Sequence, residues 1–154
     1  MKRERFFTHV LLALGLALGT YALSFGCIEH RRNRQGPWHI TFTATHGAPC
    51  LIVNQPTLGI TNVQVVFDAA PTPTNPAVVV EFALARATPF ATPFGQCVFL
   101  DTLSLPGTVV LELFGHQVQL LPRVLTIDRA ERPWHSGQII RLPAGAAAGP
   151  RPPG

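Results

Sequence analysis

Residues 108–121 read TVVLELFGHQVQLL, and this stretch decides the fold class. Two runs rich in apolar residues, 108–114 and 117–121, flank the dipeptide Gly115-His116. Alternation of apolar and polar residues is typical of a strand with one buried face, and a two-residue connection containing Gly is typical of a tight hairpin. The stretch therefore predicts two antiparallel strands joined by a turn at Gly115-His116.

The same pattern extends in both directions from this hairpin. Pro, Gly and Asn separate the apolar runs, and no segment beyond residue 28 keeps a helical period for three turns. Residues 37–142 therefore predict an all-β domain, built as a single small β-sandwich or a partly open barrel. Its further strands are predicted at residues 39–43, 50–53, 62–67, 78–82, 97–100, 123–128 and 138–142.

The two ends of the chain differ in composition from this domain. Residues 10–26 read VLLALGLALGTYALSFG without a charge, and they predict an N-terminal hydrophobic helix that precedes the sandwich. We assign residues 1–28 to a signal peptide or membrane anchor and residues 29–36 to a polar tether. Residues 143–154, PAGAAAGPRPPG, offer no side chains for a core, so they predict a disordered tail.

Three alternatives remain open for the hydrophobic segment. Ala22-Leu23-Ser24 provides the small residues of a signal-peptidase site, which favours cleavage and secretion. The run is also long enough to span a bilayer, and the basic residues that follow it, Arg31, Arg32 and Arg34, favour a retained anchor. Gly26-Cys27 resembles the end of a bacterial lipoprotein signal, which implies lipidation at Cys27. All three alternatives predict an extracytoplasmic location in the bacterial cell envelope, either secreted or membrane-anchored.

The charge distribution argues against a nucleic-acid partner. The net charge is +4, but residues 1–35 hold six basic and two acidic residues, so they account for all of the excess. Residues 36–154 hold six of each sign and are neutral, so no phosphate-binding surface is indicated. The predicted partners are the membrane, through residues 6–28 if they are uncleaved, and a protein or glycan.

Searches for catalytic motifs give no candidate catalytic, cofactor-binding or metal-binding residue. No serine lies in a G-x-S-x-G turn, and no H-x-x-H, H-E-x-x-H or C-x-x-C spacing occurs. The six acidic residues of the β-domain show no spacing that would pair two carboxylates for glycoside hydrolysis. We therefore favour a non-enzymatic protein that uses its β-domain for structure or binding. The alternative is an exported hydrolase or metal-binding domain with a site built from scattered histidines: His39, His46, His116 and His135.

Aromatic residues supply the candidate binding surface. The tripeptide Pro-Trp-His occurs at both Trp38 and Trp134, and a loop rich in Pro carries Phe90 and Phe94. Exposed aromatic side chains would suit docking of a sugar or peptide. The alternative is structural, with the two indoles capping opposite ends of the core and the two phenyl rings folded back onto it.

The cysteines predict one disulfide bond, between Cys50 and Cys97. A shift of 47 positions aligns these two cysteines and several apolar neighbours without a gap, which suggests a duplicated β-unit with equivalent cysteines. Disulfides persist in the oxidising space that the N-terminal segment predicts. The alternative is that Cys50 and Cys97 are two independent buried thiols.

Overall fold

The computed structural model describes residues 2–32, 34–68, 70–71 and 77–143. These residues belong to two units, Met1–Arg34 and Gln35–Gly154. The tail predicted at residues 143–154 lies outside the described residues except for Pro143.

Helix α1 spans Lys2–Arg32 without a break. Every side chain from Phe7 to Ile28 is exposed, including leucines that are more than 60% exposed, such as Leu11 and Leu16. The expected N-terminal apolar helix is therefore present. It continues through residues 29–32, so it includes half of the segment that the sequence assigns to a tether.

Residues after the helix fold into two packed sheets, which confirms the predicted all-β sandwich. Sheet A has the strand order β11-β3-β2-β1-β4, and sheet B has the order β10-β9-β8-β7-β6-β5. All neighbouring strands are antiparallel except β11, which runs parallel to β3. The strands of sheet A are β1 His39–Thr45, β2 Ala48–Gln55, β3 Ile60–Phe67, β4 Val78–Glu81 and β11 Ile139–Leu142. Those of sheet B are β5 Phe90–Thr92, β6 Gly95–Leu100, β7 Val109–Leu113, β8 His116–Leu120, β9 Val124–Ile127 and β10 Ala130–Pro133.

Alternate residues of these strands form one apolar core between the sheets. In β7 and β8 the buried apolar residues are Val109, Leu111, Leu113, Val118 and Leu120, which are all fully buried. Their neighbours at the intervening positions face outward, as a strand with one buried face requires. The period of two seen in the sequence is therefore the burial pattern of the fold.

The β7–β8 hairpin differs by one residue from the predicted turn. Its turn residues are Phe114 and Gly115, both at positive φ (51° and 83°), and His116 is the first residue of β8, opposite Leu113. A two-residue turn of this type requires positive φ at both positions, which is rare for Phe. The ring of Phe114 packs against Phe67 at a centroid distance of 5.2 Å, which anchors it in this conformation. The shift places His116 on the buried face of sheet B.

Gln55 fixes the start of the β-domain to sheet A. Its side chain is 1% exposed, and its Nε2 group donates to the carbonyl oxygens of Gln35, Gly36 and Pro37 at 2.9–3.0 Å. Its Oε1 atom accepts from the backbone N–H of Thr57 at 3.1 Å. A buried amide with all its groups bonded avoids the cost of desolvation, and here it orders residues 35–37, which lead into β1.

The predicted Cys50–Cys97 disulfide is wrong, because both cysteines are free, buried thiols. Leu51 and Val53 point into the core, so Cys50 faces the outer side of sheet A, where its thiol lies 3.9 Å from the Gln64 side-chain oxygen. Cys97 belongs to the core and lies in sheet B. Packed sheets are about 10 Å apart, whereas bridged Cα atoms must lie within about 7 Å.

The side of the sheet on which each residue lies also removes the support for a duplicated β-unit. The shift of 47 positions aligns β3 with β7, but Val63 is in the core and its counterpart Val110 faces outward. Likewise, Cys50 faces outward from sheet A, whereas its counterpart Cys97 faces the core. The aligned residues therefore do not occupy equivalent places in the two sheets.

We predict that the native protein holds three reduced thiols, of which only Cys27 is accessible. A small, uncharged thiol-specific reagent that can enter the detergent micelle should label one cysteine in the folded full-length chain. After denaturation without a reductant it should label all three, since burial alone protects Cys50 and Cys97. The measurement is intact mass after labelling. A single labelled cysteine in the denatured, unreduced chain would contradict the structure.

Candidate functional site

The two tryptophans meet at one end of the sandwich and do not cap opposite ends of it. Their ring centroids are 5.4 Å apart and tilted by 34°. Trp38 is fully buried, and its indole N–H donates to the carbonyl oxygen of Gly107 at 2.7 Å. Trp134 is half-buried, and its indole N–H donates to the carbonyl oxygen of Leu121 at 2.9 Å. Trp38 therefore cannot be part of a binding surface, because no part of its ring reaches solvent.

Gly107 is required for the Trp38 contact. A Cβ atom at this position would overlap the backbone oxygen of Asp101, so a side chain would displace the loop before β7. The Trp38–Gly107 hydrogen bond joins the segment leading into sheet A to a loop of sheet B. It is a structural link between the sheets.

The two phenylalanines of the Pro-rich loop fold back onto the core. Phe94 is 9% exposed and packs edge-on against Phe42, with centroids 5.2 Å apart. Phe90 is half-buried against the core, and the Arg86 guanidinium lies 4.7 Å from its ring centroid. The proposed surface role of Phe94 is therefore wrong, and Phe90 offers only a part of its ring.

The four histidines of the alternative hypothesis do not share a site. His39 and His46 lie at opposite ends of β1, and His39 pairs with Glu81 at 3.2 Å. His116 begins β8 in the other sheet, and His135 lies in the exposed segment between β10 and β11. Among the described residues, no group of three or more His, Cys, Asp or Glu side chains is arranged to hold a metal ion.

One of the four, His116, has both ring nitrogens engaged. The ring is 8% exposed; Nδ1 lies 2.6 Å from Asp128 Oδ2, and Nε2 lies 2.9 Å from the carbonyl oxygen of Pro143. The second carboxylate oxygen of Asp128 accepts from the backbone N–H of Gln117 at 2.9 Å. These contacts bring together the start of β8, the β9–β10 turn and the end of β11.

Opposing influences set the pKa of His116. Burial is the largest influence and lowers the pKa, because it disfavours the charged ring. The hydrogen bond to Asp128, the bond to the Pro143 carbonyl and the negative charge of Asp128 act in the other direction, and together they leave the pKa raised above its ordinary value of 6.5. The buried ring is thus stabilised as an imidazolium ion.

A polar cleft of about 770 Å³ lies beside this histidine. The Gln96 side chain donates to Glu112 Oε2 at 2.8 Å on its wall. Its lining, as far as the structure describes the chain, offers carboxylates, amides and a guanidinium group but no hydroxyl or thiol nucleophile, and the ring nitrogens of His116 are both in use. The arrangement can bind a polar ligand by hydrogen bonds. The lining side chains are Gln96, Glu112, His116, Gln117, Asp128 and Arg129.

The thiols of the β-domain are not candidate nucleophiles. Burial raises the pKa of Cys50 and that of Cys97, and each thiol is also held in a hydrogen-bonded contact, with Gln64 and with the Phe99 carbonyl respectively. A thiol that stays protonated is a poor nucleophile. Cys27 lies on α1 and is exposed. The structure does not test lipidation at this residue, which stays a prediction.

No protein family, curated protein sequence or solved structure matches this chain. Its function is therefore argued from its own residues.

We predict that Trp38→Phe destabilises the β-domain more than Trp134→Phe does. Both substitutions remove an indole N–H, but only the substitution at Trp38 leaves the carbonyl of a buried residue, Gly107, without that donor, which costs roughly 1–3 kcal/mol. Urea denaturation of the full-length chain in detergent, followed by far-ultraviolet circular dichroism, measures the difference. Equal losses for the two variants would contradict a structural link at Trp38.

Proposed function

We propose that this protein is a membrane-anchored protein of the cell envelope, in which α1 spans the bilayer and carries a non-enzymatic β-sandwich on the extracytoplasmic side. The observation that carries the proposal is the exposure of every side chain from Phe7 to Ile28 in a helix without a charge between residues 10 and 28. A helix that is apolar all round has no face suited to water. A lipid environment removes that conflict.

The length of the helix favours an anchor over a cleaved signal peptide. The span Phe7–Arg31 has 25 residues, and its most apolar 18-residue window has a mean hydropathy of 1.9. At 1.5 Å per residue it measures about 37 Å, which exceeds the roughly 30 Å of a bilayer's hydrocarbon core. The apolar region of a signal peptide needs only about 7–15 residues. A cleaved signal remains the alternative that the experiment must separate from an anchor.

The β-domain is proposed to serve in structure or binding. The five basic and six acidic residues of 37–142 leave it close to neutral, which suits neither a nucleic acid nor an anionic lipid surface. The polar cleft beside His116 supplies hydrogen-bond donors and acceptors suited to a glycan or a peptide. The cleft supports binding better than chemistry, because its histidine is held by Asp128 and Pro143.

We predict that the full-length chain sediments with bacterial membranes, resists alkaline carbonate and has the intact mass from Met1. The double variant Leu16→Arg/Leu18→Arg should lose this association, since each arginine at the centre of the span costs about 2.5–3.5 kcal/mol. The matched control is Leu84→Arg/Leu103→Arg. Both of those leucines are exposed in the β-domain, by 79% and 73%, and the control should stay in the membrane.

Two outcomes would contradict the membrane-spanning helix, and a third would contradict the extracytoplasmic orientation. A wild-type mass beginning at Phe25 identifies a cleaved signal peptide, and a lipid-modified mass beginning at Cys27 identifies a lipoprotein. Alkaline phosphatase fused to the C-terminus tests orientation, because that enzyme folds only after export. An inactive fusion would place the β-domain in the cytoplasm.

A further inference from the structure

His116 connects the two sheets at the end of the sandwich opposite the tryptophan pair. It begins β8 in sheet B, whereas Pro143 directly follows β11 in sheet A. The Nε2–Pro143 contact of 2.9 Å therefore crosses between the sheets, and the Nδ1–Asp128 contact of 2.6 Å stays within sheet B. Phe67 of β3 packs beside the ring, with centroids 6.1 Å apart.

The two contacts of His116 require a charged ring. A carboxylate oxygen and a backbone carbonyl oxygen are both acceptors, so each ring nitrogen must donate a proton. Neutral imidazole has only one N–H group and can make only one of these bonds. The short distance to Asp128 is typical of a charge-assisted hydrogen bond.

Loss of one ring proton would break the Nε2–Pro143 contact between the sheets and leave the Nδ1–Asp128 contact intact. Asp128 is held in place by its turn and by the Gln117 N–H at 2.9 Å, so it retains the remaining proton of the ring at Nδ1. The lone pair on Nε2 would then face the lone pairs of the Pro143 carbonyl oxygen. That arrangement is repulsive, so the ring no longer ties Pro143 to sheet B.

The start of β11 is held by the Gln64 N–H, which donates to the Gln138 carbonyl at 2.8 Å, but the end of the strand has few attachments besides Pro143. The strand has four residues, lies at the edge of sheet A and, among the described strands, pairs only with β3, with Ile140 and Leu142 as its buried side chains. Its end is also held by the Asp68 N–H, which donates to the Leu142 carbonyl at 2.8 Å, and by an exposed Arg141–Asp68 ion pair at 3.0 Å. Exposed ion pairs contribute little, and short edge strands open at low free-energy cost.

We propose that His116 is a pH-sensitive latch. The protonated ring ties the end of β11 to sheet B through Pro143, and loss of the proton releases that strand while the rest of the sandwich stays folded. Release frees the edge of β3, whose backbone groups β11 otherwise pairs, and it changes the wall of the polar cleft that His116 and Asp128 line.

The charges around the latch set the direction of its response. Asp128 from the β9–β10 turn contacts the ring directly; Glu112 of β7 and Arg129 of the same turn line the adjoining cleft, while Asp68 and Arg141 of sheet A pair with each other. The pKa of His116 is raised above 6.5 in the folded protein. The latch therefore contributes its full stability below pH 6.5 and loses it as pH rises through the raised pKa.

Hydrogen exchange of the full-length chain in detergent, read by mass spectrometry at pH 5.5 and pH 8.5, tests the latch. After correction for intrinsic exchange rates, the peptide containing β11 should lose protection at the higher pH, by about tenfold for each unit by which the pKa is raised. Peptides from β7 and β8 should not change. Equal protection of β11 at both pH values would overturn the proposal.

Variants separate a latch from a merely structural histidine. His116→Gln should abolish the pH dependence and leave β11 weakly protected at both pH values, and Asp128→Asn should move the transition to lower pH. The matched control, His135→Gln, changes an exposed histidine that precedes β11 and should keep the wild-type response. A pH response that persists in His116→Gln would contradict the latch.

Titration of the native histidines by nuclear magnetic resonance tests the same proposal without a substitution at the latch. The His116 ring should titrate above pH 6.5, and its resonances should identify protons on both nitrogens at pH 5.5. A His116 that titrates at or below pH 6.5, or that carries a single ring proton at pH 5.5, would overturn the proposal even if His116→Gln fails to fold.

Discussion

The inner faces of the two sheets meet in an apolar layer, and strands such as β1, β7 and β8 place alternate residues in it. The largest fully buried side chains, Trp38, Phe42 and Phe67, all belong to sheet A or to the segment that leads into it, and they pack against the inner face of sheet B. Polar atoms can cross between the sheets only at the ends of this layer. Trp38 donates to Gly107 at one end, and His116 donates to Pro143 at the other. The face of the sheet on which each side chain lies thus decides which residues can come into contact.

This constraint explains which features of the fold could be predicted. Alternation along 108–121 is a local property, so the strands and the all-β class follow from it. The register of the β7–β8 hairpin does not follow from this alternation. It depends on a turn with Phe114 at positive φ, and that turn depends on the packing of the Phe114 ring against Phe67, which is distant in the chain. Which way Cys50 and Cys97 face depends on how each strand joins its sheet. A gapless alignment carries no such information, and it therefore suggested a disulfide that the fold does not allow.

The sequence alone does not identify the candidate site at His116, for the same reason. His116 lies 12 residues from Asp128 and 27 from Pro143, and one of its two partners is a backbone oxygen, so no motif marks the group. The sequence named His116 as one of four scattered histidines, but a turn position would have left it exposed. The repeated Pro-Trp-His tripeptide does not predict that the two tryptophans contact each other. Their contact with each other requires two segments 96 residues apart to meet, and only the fold determines that.

The chain therefore arranges its apolar residues in two ways: alternately in the strands, where they face a core, and without interruption in α1, where they face outward. We interpret the first arrangement as suited to water and the second as suited to lipid. A nitroxide spin label at position 16 of a Leu16→Cys/Cys27→Ser chain in lipid vesicles tests this interpretation most directly. We expect the label to be accessible to oxygen and shielded from a water-soluble nickel chelate, whereas a label at position 84 of a Leu84→Cys/Cys27→Ser chain should show the reverse. Equal access of the chelate to both positions would contradict it.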